Sequence, residues 1–161
     1  MEARLNLFEN EIAAKFGKRF ANLSMVLDQS LLPEATRELV SLRASQINGC
    51  GFCSDMHTKD AAAAGETAVR LNLVAAWREA TVFTEAERAA LALAEEGTRI
   101  ADAHHGVSDE TWADARKHYD DDQLVALVAL VALINAANRL NVIVRSPAGS
   151  YEPGMFASMK S

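Results

Sequence analysis

The chain has 161 residues, half of them hydrophobic, with a formal net charge of −6. That length suits one domain with its own core, and the composition excludes a disordered chain. The acidic balance, with no basic run anywhere, excludes nonspecific nucleic-acid binding, which needs clustered Lys and Arg.

The N-terminus, MEARLNLFENEIAAKFG, is charged and amphipathic and lacks the apolar core and cleavage site of a signal peptide. The most apolar run, Leu124 to Ile134, is too short to span a bilayer and ends at Asn135. A soluble, cytoplasmic protein with no membrane partner is therefore expected. In that compartment cysteines stay reduced. A close pair then points to redox catalysis or metal binding before a structural disulfide.

Only Pro33, Pro147 and Pro153 interrupt a chain rich in Ala, Leu, Glu and Arg, so the expected fold is all-α. A first helical pattern carries Leu5, Phe8, Ile12, Phe16 and Phe20. A second helix begins at Pro33, suits that residue in its first turn, and runs to about Ile47, where Asn48-Gly49 breaks it. A third opens at Cys50 and stops near Gly65. A shorter element covers Val69 to Glu79. Thr84-Glu85-Ala86-Glu87 is a capping box that starts a helix to about Ala103. Ser108 caps another, ending near His118. Asp120 to Asp122 introduce the final helix, Gln123 to about Leu140, where negative charge suits the helix dipole. That helix is apolar nearly all round, which predicts burial on most sides, in the core and at a subunit interface. Residues 1–145 form one domain. Residues 146–161 read as an irregular arm anchored by Tyr151, Met155, Phe156 and Met159, either packed across a neighbouring subunit or mobile.

The chemistry concentrates between Glu38 and His57. On a helix, Cys50, Cys53, His57, Ala61 and Ala64 fall within roughly 80° of one another. The alanines then let a neighbouring helix approach closely beneath them. A cysteine in the first helical turn has its thiolate stabilised by unpaired N–H groups and the dipole. An imidazole one turn after Cys53 can take its proton and return it to a leaving oxygen. A lowered pKa is accordingly expected at Cys53. Glu38 flanks the apolar stripe Ala35, Leu39, Leu42 and Gln46 of the preceding helix. In a helical hairpin it reaches His57, orients the ring and stabilises the imidazolium.

Glu38, eleven residues, Cys50, two residues, Cys53, three residues, His57 resembles the signature of the AhpD-like alkylhydroperoxidases, within the wider carboxymuconolactone decarboxylase family. Similar stretches are Ala-Ala-Trp-Arg-Glu at 75–79, Phe-Thr-Glu-Ala-Glu-Arg-Ala-Ala-Leu-Ala-Leu-Ala at 83–94 and Ala-Leu-Ile-Asn-Ala-Ala-Asn-Arg at 132–139. The resemblance implies an AhpD-like helical fold, a homo-oligomer (trimer or hexamer), and a peroxidase acting on organic hydroperoxides. It implies Cys53 as the peroxidatic thiolate, Cys50 as the resolving thiol, His57 as the base and Glu38 as its orienter. It implies a dithiol reductant of the lipoyl or thioredoxin type; no cofactor is expected. Phe52 departs from the pattern, since well-studied members carry a second His there.

Other readings stand beside this one. Two Cys, a His and a Glu are a legal zinc set. The chain could also be a non-redox enzyme of the decarboxylase branch, or a thiol redox sensor. His104, His105 and His118 read as helix-end residues. Trp77 and Trp112 read as core or interface. Asn135 and Asn138 read as amides that tie helices together.

Overall fold

A computed structural model describes residues 2–103 and 105–156, with the backbone alone at Phe8. The Phe8 side chain, His104 and Met159 thus lie outside the described residues. Among the described residues seven helices follow one another: α1 Glu11–Asp28, α2 Glu34–Ile47, α3 Gly51–Ala63, α4 Ala68–Leu73, α5 Glu85–Thr98, α6 Asp109–His118 and α7 Asp121–Val144. Single 3-10 turns cover Leu7–Glu9 and Val74–Ala76. No strand occurs among the described residues.

The starts are set by side chains that accept the first unpaired backbone N–H groups. Asn10, Thr67, Thr84, Ser108 and Asp120 each do this for the helix that follows, and Thr84 and Asp120 complete reciprocal capping boxes with Glu87 and Gln123. Asn10 also moves the first boundary: α1 starts after it, so Leu5 precedes the helix. Pro33 lies just outside α2 as its N-cap residue.

Two ends differ from the sequence reading. Helix α5 stops at Thr98 rather than Ala103. The Glu96 carboxylate accepts from Ser108 N–H, Ser108 Oγ and Thr111 Oγ1, which folds the chain straight back into α6. His105 therefore lies in a turn, not at a helix end. Helix α7 runs on to Val144, where Arg145 takes a left-handed conformation at φ 58°. With this extension α7 is long and apolar enough, by length and composition, to cross a membrane. The bilayer argument from the Leu124–Ile134 run alone does not hold.

The core lies where α2, α5 and α7 meet. Val40, Ala90, Leu93, Ala94, Leu127 and Val131 pack there, and α3 lies on α2 through Leu39, Leu42 and Ala61. Helix α7 buries one face, not most of its circumference. Leu124, Leu127, Leu130, Val131 and Ile134 face inward, while Val125, Val128, Leu140, Val142 and Ile143 are exposed. On α2 the buried face is also broader than the expected stripe. It takes in Thr36, Ser41, Ala44 and Ser45, and Ala35 is exposed. Ala64 ends α3 as its exposed C-cap residue and covers nothing. Trp77 is buried, with its indole N–H donating to Glu95 (3.1 Å), and Trp112 is exposed.

The described part of the C-terminal arm, residues 146–156, packs as a strap on its own chain. The Asp55 carboxylate accepts the N–H groups of Gly149 (2.7 Å) and Tyr151 (3.2 Å). The Lys59 ammonium donates to the carbonyls of the same two residues (3.1 and 2.8 Å). Tyr151 is buried and its hydroxyl donates to Asp60 (2.9 Å). An ion pair on α3 thus grips the strap backbone and lays it across the start of that helix.

Candidate active site

The turn between α2 and α3 delivers the cysteines. Asn48 ends α2, and Gly49 takes φ +66°, which a side chain would disfavour. The Cys50 N–H returns to the Ser45 carbonyl at 2.9 Å. Cys50 is then the N-cap residue of α3, and its Sγ accepts the Cys53 backbone N–H at 3.4 Å. Both thiols are free, and each residue is only 1 % exposed. Ala44 of α2, Ile134 and Ala137 of α7, and Phe52 enclose them. On the outer side Phe52 meets Phe156 of the strap at 6.2 Å between ring centroids. A Cβ on Gly51 would approach Ala148 Cβ at 3.3 Å.

His57 lies one turn after Cys53. Its Nδ1 is 2.8 Å from Glu38 Oε2. In the neutral ring that contact makes Nδ1 the donor and leaves Nε2 as a bare acceptor. Nε2 is buried and has no hydrogen-bond partner; among the described residues only Gln46 Oε1 shares that condition. A groove of about 320 Å³, lined by Glu34, Ala35, Ala61, Ala64 and Glu66, opens on Glu38 from outside. Two of the four residues singled out from the sequence, Glu38 and His57, are thus in contact across α2 and α3, and the other two, Cys50 and Cys53, pair at the start of α3.

Helix α7 adds two amides. Asn138 is fully buried; it accepts from Asn48 Nδ2 (2.8 Å) and donates to Ser45 Oγ (3.0 Å). Asn141 donates from Nδ2 to Cys53 Sγ at 3.6 Å. Asn135 joins Asn48 (2.9 Å) and Thr98 (3.0 Å), tying α7 to α2 and α5. Asn141 lies beyond the helix end expected near Leu140, so the sequence reading does not include it. The usable signal was the i, i+3 spacing of Asn138 and Asn141 on an otherwise apolar helix.

The electrostatics reverse one expectation. The thiol with the lowered pKa is Cys50, brought down to about 7. The hydrogen bond from the Cys53 side chain is the main cause and outweighs the opposing effect of burial; the Cys53 backbone N–H, Asn138 and the charge of His57 add to it. Cys53 is pushed up, first because its own S–H is held by Cys50, then by burial and by the negative charge on Cys50. Asn138 and Asn141 pull it back down. The N-cap sulfur receives both the Cys53 S–H and the Cys53 backbone N–H, and both favour the thiolate there. Alkylation of reduced protein is thus expected to titrate at Cys50 with a midpoint near pH 7, against 9.0 for an unperturbed thiol. Peptide mapping of the alkylated cysteine across pH checks this, and a midpoint near 9 at Cys50 contradicts it.

No group of three or more His, Cys, Asp or Glu among the described residues is arranged to hold a metal ion.

The model of one family, described as the carboxymuconolactone decarboxylase family, matches residues 14–96. The chain belongs to that family. The matched segment holds Glu38, Cys50, Cys53 and His57; α7 and the strap lie beyond it. YdfG of Bacillus subtilis (strain 168), an uncharacterised protein, is 39 % identical over 93 % of this chain and 99 % of its own length. ATU0492 of Agrobacterium tumefaciens, a protein of unknown function provisionally assigned to AhpD antioxidant defence, superposes with a TM-score of 0.84. It is 33 % identical and covers 93 % of this chain and 100 % of its own. The debrominase Bmp8 shares the fold at a TM-score of 0.74 and 19 % identity, covering 86 % of this chain and 76 % of its own. The fold is AhpD-like.

Proposed function

We propose that the protein reduces organic hydroperoxides with the Cys50–Cys53 pair, using His57 and Glu38 to move protons. The observation that carries this reading is the buried, bare Nε2 of His57, one helical turn after the free Cys53, with its Nδ1 held by Glu38. A base held in one tautomer, with nothing yet bound to its acceptor, is poised to take a thiol proton and return it to a leaving oxygen.

His57 takes the Cys50 proton, and Glu38 stabilises the imidazolium. The Cys50 thiolate attacks the hydroperoxide; a sulfur–oxygen bond forms and the oxygen–oxygen bond breaks. The departing alkoxide receives the proton from His57 and leaves as an alcohol, while Cys50 becomes a sulfenic acid. Cys53 attacks that sulfur, a disulfide forms, and water leaves. An external dithiol then reduces the disulfide and is itself oxidised. This order exchanges the roles that the family resemblance implies for the two cysteines; the Cys53 backbone N–H on Cys50 Sγ supports it. The contact of Asn141 with Cys53 favours the second reading, in which Cys53 attacks first. Sulfenic acid trapped with a dimedone reagent decides between them by its position. The family resemblance supports a lipoyl- or thioredoxin-type reductant, and a reducing, cytoplasmic setting suits a pair that must begin as thiols.

Turnover tests the reading. Cumene hydroperoxide loss with dihydrolipoamide, or with a thioredoxin system, is expected to scale with protein concentration. No consumption above the dithiol blank with either reductant contradicts it.

Self-association belongs to the same reading. The exposed Val125, Val128, Leu140 and Ile143 form an apolar face along α7, and burial of such a face drives association. Light scattering at micromolar concentration is expected to give a trimer or hexamer, and a monomer contradicts this.

A further inference from the structure

Proton removal from Cys50 explains the first oxidation, but not how Cys53 becomes a nucleophile. Cys53 is buried, its S–H is held by Cys50, and the titratable groups facing the pair are Cys50 and His57 on α3 and, through His57, Glu38 on α2. Helix α7 contributes no charge there. It contributes Asn141, whose Nδ2 donates to Cys53 Sγ at 3.6 Å and to the Ala137 carbonyl at 3.0 Å. The second bond fixes the direction of the first. The Asn141 carbonyl accepts the Ser146 N–H at 2.9 Å, so the residue stands in the last turn of α7, where the strap departs.

We propose that Asn141 is the hydrogen-bond donor that makes Cys53 reactive in the disulfide-closing step. The proposal rests on the thiol-pair reading of the site. When Cys50 is capped, as a sulfenic acid or a mixed disulfide, it no longer carries the charge that opposes ionisation of Cys53. Cys53 then loses its proton through His57 or solvent, and the carboxamide N–H stabilises the thiolate as it forms. A charge-assisted bond of this kind is stronger than a neutral one. Cys53 attacks the Cys50 sulfur, the sulfur–sulfur bond forms, and the cap leaves with the electron pair of the bond that breaks.

The test needs no peroxide. An aromatic disulfide such as 5,5′-dithiobis(2-nitrobenzoate) caps Cys50 and releases one thiolate; attack by Cys53 closes the disulfide and releases a second. Stopped-flow absorbance reads both phases. In Asn141→Ala the second phase is expected to slow by about ten-fold and its pH midpoint to rise, with the first phase within about two-fold of the parent. Asn141→Ser, which keeps a donor, is expected to recover part of the rate. A second phase unchanged in rate and midpoint in Asn141→Ala overturns the proposal. So does equal slowing of both phases, the mark of a structural role. Failure of hydroperoxide to oxidise the parent protein would sink the peroxidase reading alone, because disulfide closure is still measured.

Discussion

Replacing Glu95 with alanine is expected to destabilise the fold by about 3–5 kcal/mol. Glu95 is 6 % exposed on α5. Its carboxylate accepts from Arg43 Nε on α2 at 2.6 Å, from the Trp77 indole N–H at 3.1 Å, and from Arg78. The Arg78 guanidinium also lies over the Trp77 ring, 4.3 Å from its centroid. One carboxylate therefore joins α2, α5 and the turn after α4. Removing it strands the largely buried Arg43 charge and leaves the indole N–H without its acceptor, and both cost free energy. Burial alone would raise the Glu95 pKa, but Arg78, Arg43 and Trp77 together hold it below its usual 4.5. Its contribution is then fully present above the unfolded-state value near 4.5 and lost as pH falls through the lower folded-state value. Urea unfolding at neutral pH reads the effect. A loss below about 1 kcal/mol, the level of an exposed ion pair, contradicts it.

Cys50→Ser and Cys53→Ser are each expected to lower turnover by about a thousand-fold or more, for different reasons. Serine at 50 removes the ionised sulfur that opens the peroxide bond, so neither oxidation nor alcohol release follows. Serine at 53 leaves the first step intact and stops the protein after one equivalent, as a sulfenic acid that a dimedone reagent captures at Cys50. An enzyme of the non-redox branch of the family would keep its activity in both variants. The assay is hydroperoxide loss under excess dithiol, with mass mapping of the oxidised cysteine. Full turnover in either variant contradicts a two-cysteine cycle.

The helices were legible because local chemistry starts them. The Thr84 box, Ser108 and the Asp120 cap each act through residues three apart, so composition and spacing suffice. The end of α5 was not legible, because Glu96 draws in Ser108 and Thr111 from a separate segment. At the site, Glu38 and His57 were readable from helical geometry, since a hairpin of two consecutive helices leaves few alternatives. The charge state of the thiols was not. It depends on which sulfur takes the N-cap position and on amides from α7, almost ninety residues away in the chain. The strap was read as an arm with apolar anchors, and Tyr151 and Phe156 do meet at 5.8 Å between centroids. Its grip on α3 also uses backbone groups of Gly149 and Tyr151, which carry no sequence signature.

The most direct test is to mix reduced, metal-free protein with one equivalent of cumene hydroperoxide and follow intact mass and free thiols together. A two-cysteine peroxidase loses both thiols and two hydrogens and yields one equivalent of alcohol. Unchanged thiols and unchanged mass, with the hydroperoxide intact, would contradict the account.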